Sequence, residues 1–186
     1  MQWSAVRTVF RASKNVFEPM LTSGTGNITS NVAMDDVWAP DTISDSADAA
    51  SGILVYASRG VAVSGNTVGN TQFGIAFVSD PTFGPADGGT VTGNRVAATH
   101  IFDGIELCGS SNTIQSNRIN GSDESAIHVD SSCGPVTNNV ISGNTIVEAC
   151  AGILVGTAAG PSEFSASQSE PEIGASCCEI PRVRNV

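Results

Sequence analysis

Glu106 and His128 stand 22 positions apart, each between apolar residues, in the runs Ile-Glu-Leu and Ile-His-Val. Asp103 precedes the first run, and Asp130 closes the second. Carboxylates beside an imidazole are the equipment of general acid–base chemistry, with His128 as a base oriented by Asp130, or Glu106 and Asp130 as a carboxylate pair. If the two runs are adjacent strands, Glu106 and His128 are lateral neighbours ~5 Å apart. Glu106 and Asp130 are then roughly 8 Å apart, inside the ~6.5–9.5 Å range of inverting glycosidases. The competing reading is a solvated cross-strand pair worth ~0.2–1 kcal/mol.

Other side chains could serve a ligand. Arg95 and Arg118 each follow an Asn in a matching context, VTGNRV and IQSNRI. Stacked on neighbouring strands they repel, so an anion should compensate, either Asp123, Glu124 or a uronate or sulfate on a ligand. Tyr56, Trp38 and Phe83 could stack on sugar rings. The acidic run Asp35, Asp36, Asp41, Asp45 and Asp48 could hold a Ca²⁺ that bridges a polyanion to this acidic protein, but it lacks the ligand spacing of an EF-hand loop. Five cysteines (Cys108, Cys133, Cys150, Cys177, Cys178) contain no zinc-like pair of Cys-x-x-Cys spacings. A Cys133–Cys150 bond and free thiols both remain open.

What must position these groups is a repeat. SGILVY at 51–56, FGIAFV at 73–78, DGIELC at 103–108, SAIHVD at 125–130 and AGILVG at 151–156 share a small residue followed by apolar, variable, apolar. VSGNTV, VTGNRV, IQSNRI and ISGNTI alternate with them, and Ile28 to Ala33 reads as an earlier, imperfect copy. The starts are separated by 22, 30, 22 and 26 residues, and the longer steps carry extra loop at 80–85 and 131–135. Short β-branched segments broken by Gly every few residues exclude helix. A unit this small cannot bury its apolar face alone, but stacked coils can, like above like at the ~4.8 Å spacing of paired strands.

The inward files would be Ile53/Ile75/Ile105/Ile127/Ile153, Val55/Phe77/Leu107/Val129/Val155 and Val63/Val91/Ile114/Ile141. Asn66, Asn94, Asn117 and Asn144 would stack at a turn, where Asn tolerates left-handed backbone and amides can bond along the ladder. The residues facing out would be Leu54/Ala76/Glu106/His128/Leu154 and Tyr56/Val78/Cys108/Asp130/Gly156. Loops 34–50, 80–89 and 131–135 are candidate walls of a cleft on that face.

This Gly-Ile-x-apolar and apolar-x-x-Asn-x-apolar texture resembles the right-handed parallel β-helix repeat proteins, the pectate-lyase-like superfold, over roughly 28–156. The resemblance implies an all-β solenoid of about five to six coils and an extracellular or periplasmic setting. The superfold hosts lyases, glycoside hydrolases, epimerases, tailspikes, adhesins and accessory proteins, so it does not choose among them. The Asp-rich signatures of polygalacturonases and the Asp-Pro-His-Asp/Glu signature of alginate epimerases do not occur here. The expected function is therefore a glycan- or surface-binding module or a fragment of a larger extracellular protein. The alternative is a polysaccharide lyase or glycoside hydrolase.

Composition bounds the rest. The 186 residues carry a net charge of -10, eight Lys plus Arg and 14% charged side chains. Nucleic acid, whose phosphates call for a basic stripe, is an unsuitable partner. No apolar run reaches the ~18 residues of a membrane helix. The opening MQWSAVRTVFRASKNVF lacks the continuous apolar stretch of ~7–15 residues of a secretory signal. Residues 1–22 read as a cap, a helix presenting Val6, Phe10, Phe17 and Met20 or an irregular strand. Residues 23–160 read as the repeats, and 161–186 as a Ser/Glu/Pro-rich tail with a possible incomplete last coil. A monomer is expected, with no cofactor beyond the conceivable Ca²⁺.

Overall fold

A computed structural model describes residues 2–6, 9–11, 25–35, 51–134, 136–156 and 163–168, with the first two stretches and the last as backbone alone. These residues form one sheet of fifteen strands, and every paired strand is parallel. The sheet winds into a right-handed parallel β-helix with three strand columns. Column A stacks β1 (Gln2–Val6), β3 (Thr25–Thr29), β6 (Ala62–Ser64), β9 (Thr90–Thr92), β12 (Thr113–Gln115), the start of β14 (Val140–Val155) and β15 (Glu163–Gln168). Column B stacks β2 (Val9–Arg11), β4 (Val32–Met34), β7 (Thr67–Thr71), β10 (Arg95–Thr99), the start of β13 (Arg118–Val129) and the middle of β14. Column C stacks β5 (Ser51–Tyr56), β8 (Phe73–Val78), β11 (Ile105–Cys108) and the ends of β13 and β14.

The register is the one the repeat predicts. Ile53, Ile75, Ile105, Ile127 and Ile153 lie in one file, and Val55, Phe77, Leu107, Val129 and Val155 in a second. Ile28 lies in one file with Val63, Val91, Ile114 and Ile141. These side chains are fully buried except Ile153, which packs against the core part-exposed, and Val155, which is exposed. Ala33 shares a further file with Val68, Val96, Ile119 and Ile146.

The corners explain how such short strands turn. Left-handed residues recur in files: Ser30, Gly65, Gly93, Ser116 and Gly143 between columns A and B; Asp35, Asn70, Ala98, Gly121 and Glu148 between B and C; Gly60, Gly88, Ser111 and Asn138 between C and A. At the first corner the left-handed residue is the one before the ladder Asn, not the Asn itself. This corrects the expectation, and the reason is visible in the bonding. Each Asn is buried, with its side chain turned along the stack. Asn31, Asn66, Asn94 and Asn117 each donate from Nδ2 to the Oδ1 of the next Asn at 2.9–3.1 Å. That same Oδ1 also accepts the preceding Asn's backbone N–H at 2.8–2.9 Å. A second amide pair, which the repeat did not reveal, occupies the C-to-A corner. There Asn112 N–H donates to Asn139 Oδ1 at 2.8 Å, and Gly89 N–H to Asn112 Oδ1 at 2.7 Å.

The small residue before each column C Ile is also explained. A Cβ on Gly52, Gly74 or Gly104 would sit 2.3–2.6 Å from Val68, Val96 or Ile119, because the start of column C closes against the next column B strand in the chain.

At the start of the chain, the helix considered for 6–20 is replaced at Val6 and Val9–Arg11 by strands β1 and β2; residues 12–20 lie outside the described set. Near the other end, part of the expected tail is strand β15, whose Phe164 pairs in backbone register with Ile141. Among the described residues no helix is long and apolar enough to cross a membrane.

Candidate functional site

Because successive residues of a strand point to opposite faces, burying Ile105 and Leu107 forces Glu106 outward, and burying Ile127 and Val129 does the same for His128. The register sets Glu106 beside Ala76 on one side and His128 on the other. Two residues on, Asp130 N–H bonds Leu107 O at 2.9 Å, which brings Asp130 alongside Cys108. The three predicted groups Glu106, His128 and Asp130 therefore share one face over two neighbouring rungs.

Glu106 does not stand in solvent. It is only 6% exposed, and among the described residues it makes no hydrogen bond or ion pair. Burial pushes its carboxyl up to about 8, and the charges of Asp103, Asp130 and Glu124 add to this while His128 opposes it. The solvated cross-strand pair is thus not what forms.

The partner of His128 is Asp103, whereas Asp130 was the expected one. Nδ1 of His128 lies 3.0 Å from Asp103 Oδ2, and Asp103, 2% exposed, also accepts Ser125 N–H at 3.0 Å. Asp103 sits in the turn before β11, so its side chain reaches across to the next rung, which strand alternation alone does not reveal. Burial pulls the His128 imidazolium down, but the Asp103 hydrogen bond and the charges of Asp103, Asp130 and Glu106 outweigh it, and the ring ends above its ordinary value. Asp130 instead organises the loop that follows, accepting Ser132 N–H at 2.8 Å and the Ser132 hydroxyl.

That loop carries Cys133, which is bonded to Cys108 across 25 residues. The Cys133–Cys150 pairing weighed from sequence does not form, since Asp130 alongside Cys108 delivers Cys133 to that rung; Cys150 is exposed. The sulfurs of Cys108 and Cys133 and a carboxylate oxygen of Asp130 lie within 4.8 Å of one another.

The remaining predicted residues lie elsewhere. Arg95 and Arg118 are directly paired in register, both exposed, but on column B rather than column C. Neither has a carboxylate partner among the described residues. Asp123, a candidate for that role, lies 3.7 Å from His100 Nδ1 and accepts Ile101 N–H at 3.3 Å. Tyr56 is on column C, in register with Val78; its hydroxyl donates to Asp80, and its ring tilts against Phe83 with centroids 6.4 Å apart. Phe83, 46% exposed, is the freer aromatic surface. Asp35 accepts a 2.9 Å bond from Asn70 Nδ2. Trp38 and the acidic residues Asp36, Asp41, Asp45 and Asp48 lie outside the described residues.

Comparison with known proteins agrees with this architecture. No curated protein and no solved structure matches the chain. A family model described as NosD, periplasmic copper-binding protein, matches residues 7–169, most of the sequence. On that match, and with the parallel coils it spans, the chain belongs to the NosD family of right-handed parallel β-helix proteins.

Proposed function

We infer that the chain is an extracytoplasmic ligand-binding β-helix module whose outer column C face takes an extended, hydroxyl-rich ligand, a polysaccharide strand. The periplasmic description of the family supports the location. One observation carries the binding reading: Glu106 faces outward yet is nearly enclosed, with no hydrogen-bond partner among the described residues. A carboxyl of this kind keeps its bonding capacity for something that enters the recess, and burying it otherwise costs free energy. Tyr56 stands on the same column, two rungs or ~10 Å from Glu106 at the spacing of paired strands, and Phe83 of the loop after β8 lies against its ring. The exposed Arg95–Arg118 pair on column B would receive acidic groups of a charged ligand. Trp38 and a bridging Ca²⁺ remain part of this proposal only as sequence candidates. Affinity electrophoresis through gels containing neutral and uronate polysaccharides tests it. Retardation that Glu106→Ala abolishes is expected; identical mobility in every gel overturns the reading.

A second reading, turnover of the bound glycan, is favoured by the 3.0 Å contact that fixes the His128 ring on Asp103 beside Glu106. Glu106, His128 and Asp130 would be the catalytic groups of a lyase or hydrolase. Release of reducing ends or unsaturated products by the chain, lost in His128→Ala, is its signature. No product from any glycan that the chain binds rejects it.

The family's printed description raises copper. Among the described residues the donor set that suits it is Cys108, Cys133 and Asp130, but with the sulfurs bonded to each other neither is a thiolate. The set fits a soft ion only after the bond is opened.

A further inference from the structure

We propose that the enclosed carboxyl of Glu106 is the docking point for a primary ammonium, and that the glycan taken by the outer column C face is one that carries amino sugar units. This names the substrate class of the binding reading given above and rests on it.

The charge around Glu106 is one-sided. Its lateral neighbours are Ala76 on β8 and His128 on β13. Negative charge reaches it from Asp103 in the turn before β11, from Asp130 after β13 and from Glu124 on β13. Among the described residues the opposing positive charge comes from His128, and Asp103 already holds that ring at 3.0 Å. Arg95 and Arg118 lie on column B, away from this face. An anionic group entering here would add to the repulsion, and a neutral hydroxyl would leave it standing. An ammonium removes it and brings three N–H donors to a carboxyl that has no hydrogen bond among the described residues. Burial and the acidic neighbours push that carboxyl up to about 8, and a bound cation relieves both costs.

Size points the same way. Only 6% of Glu106 is accessible, an opening suited to the tip of a substituent rather than to a sugar ring. The ring itself would lie outside, on the face where Tyr56, with Phe83 against it, stands two rungs off. A metal ion needs several ligand atoms gathered around one point. Among the described residues the oxygens of Asp103, Glu106 and Asp130 do not gather that closely. An ammonium needs only one strong acceptor and a negative field. Over the whole chain, a net charge of -10 draws a polycation and repels a polyanion.

The test titrates the full chain, at neutral pH and about 50 mM NaCl, with hexasaccharides of glucosamine, N-acetylglucosamine and galacturonate, by calorimetry. The glucosamine chain should bind about tenfold tighter than its acetylated counterpart, the step between a charge-assisted and a neutral hydrogen bond. Galacturonate should bind most weakly. Glu106→Gln, which keeps the shape and loses the charge, should erase the preference for the amine; circular dichroism checks its fold, and if it does not fold the wild-type preference decides. Spermidine, a free polyamine, should displace the glucosamine chain only when in large excess. Acetylated or galacturonate chains that bind as tightly as glucosamine, or a preference that Glu106→Gln leaves intact, overturn this proposal while glycan binding stands. Displacement by equimolar spermidine overturns the sugar as carrier of the ammonium. No binding of any of the hexasaccharides overturns both readings together.

Discussion

Glu106 concentrates the unusual electrostatics of the molecule in one side chain. With its folded-state pKa near 8, against 4.5 for a free carboxyl, it is neutral in the folded protein where the unfolded chain is ionised. The folded state therefore holds the extra proton, and stability is highest below the unfolded value. It declines as pH rises from about 4.5 to about 8, by up to ~1.4 kcal/mol per unit. His128, also raised, loses stability in the same direction as it gives up its proton. Thermal melts of the wild type should fall in temperature across that window, and Glu106→Gln should flatten most of the slope. A wild-type melting temperature that climbs from pH 5 to pH 8 would contradict the assignment. Asn117 gives a second prediction. Its amide bonds Asn144 Oδ1 and Val91 O and accepts two N–H groups of Asn94, so Asn117→Ala strands several buried partners at once. We expect a loss on the order of 3 kcal/mol in urea unfolding, since each orphaned buried group costs about 1–3 kcal/mol.

At the scale of elements, the strands were legible because the inward residues repeat at one offset in every coil. The Ile53-to-Ile153 file and the outward neighbours Glu106 and His128 both follow from that single period. What escaped sequence reading lies in the corners. Asp103 reaches His128 from a turn, and the Asn112–Asn139 pair occurs in only two coils, so neither has a column long enough to register as a repeat. The disulfide escaped for a related reason: Cys108 is in a strand and Cys133 in a loop, and only Asp130 and its Ser132 contacts bring them together. The small residue that opens each column C segment was legible as part of the repeat, but its role as a spacer was not. A Cβ at Gly74 would meet Gly104 O at 2.2 Å, a backbone atom unable to swing aside. Gly74→Ala should therefore lower stability by about 1–3 kcal/mol, as overpacking does. Gly88→Ala, with open space around it, should cost only its left-handed backbone. Equal effects of the two would refute the spacer role.

Over the whole molecule, eighteen acidic side chains face eight basic ones. A solenoid is long for its mass, yet it still draws like charges closer than the unfolded chain does, and salt relieves that repulsion. Raising NaCl from about 20 mM to about 0.5 M should increase the melting temperature, with most of the gain at the low end where the Debye length shortens from tens of ångströms to a few. A melting temperature that falls over this range would mean that attractive pairs outweigh the net charge.

The amide stack described at the first corner has one more implication. Every amide-to-amide bond in it runs the same way, with the donor in the earlier coil and the acceptor in the later one, from Asn31 to Asn144. The column thus has polarity, like a row of magnets laid north to south, and its two extremities differ in kind. Any coil stacked in the series must present its amide in that same sense, so the column tolerates repetition but not reversal of a coil.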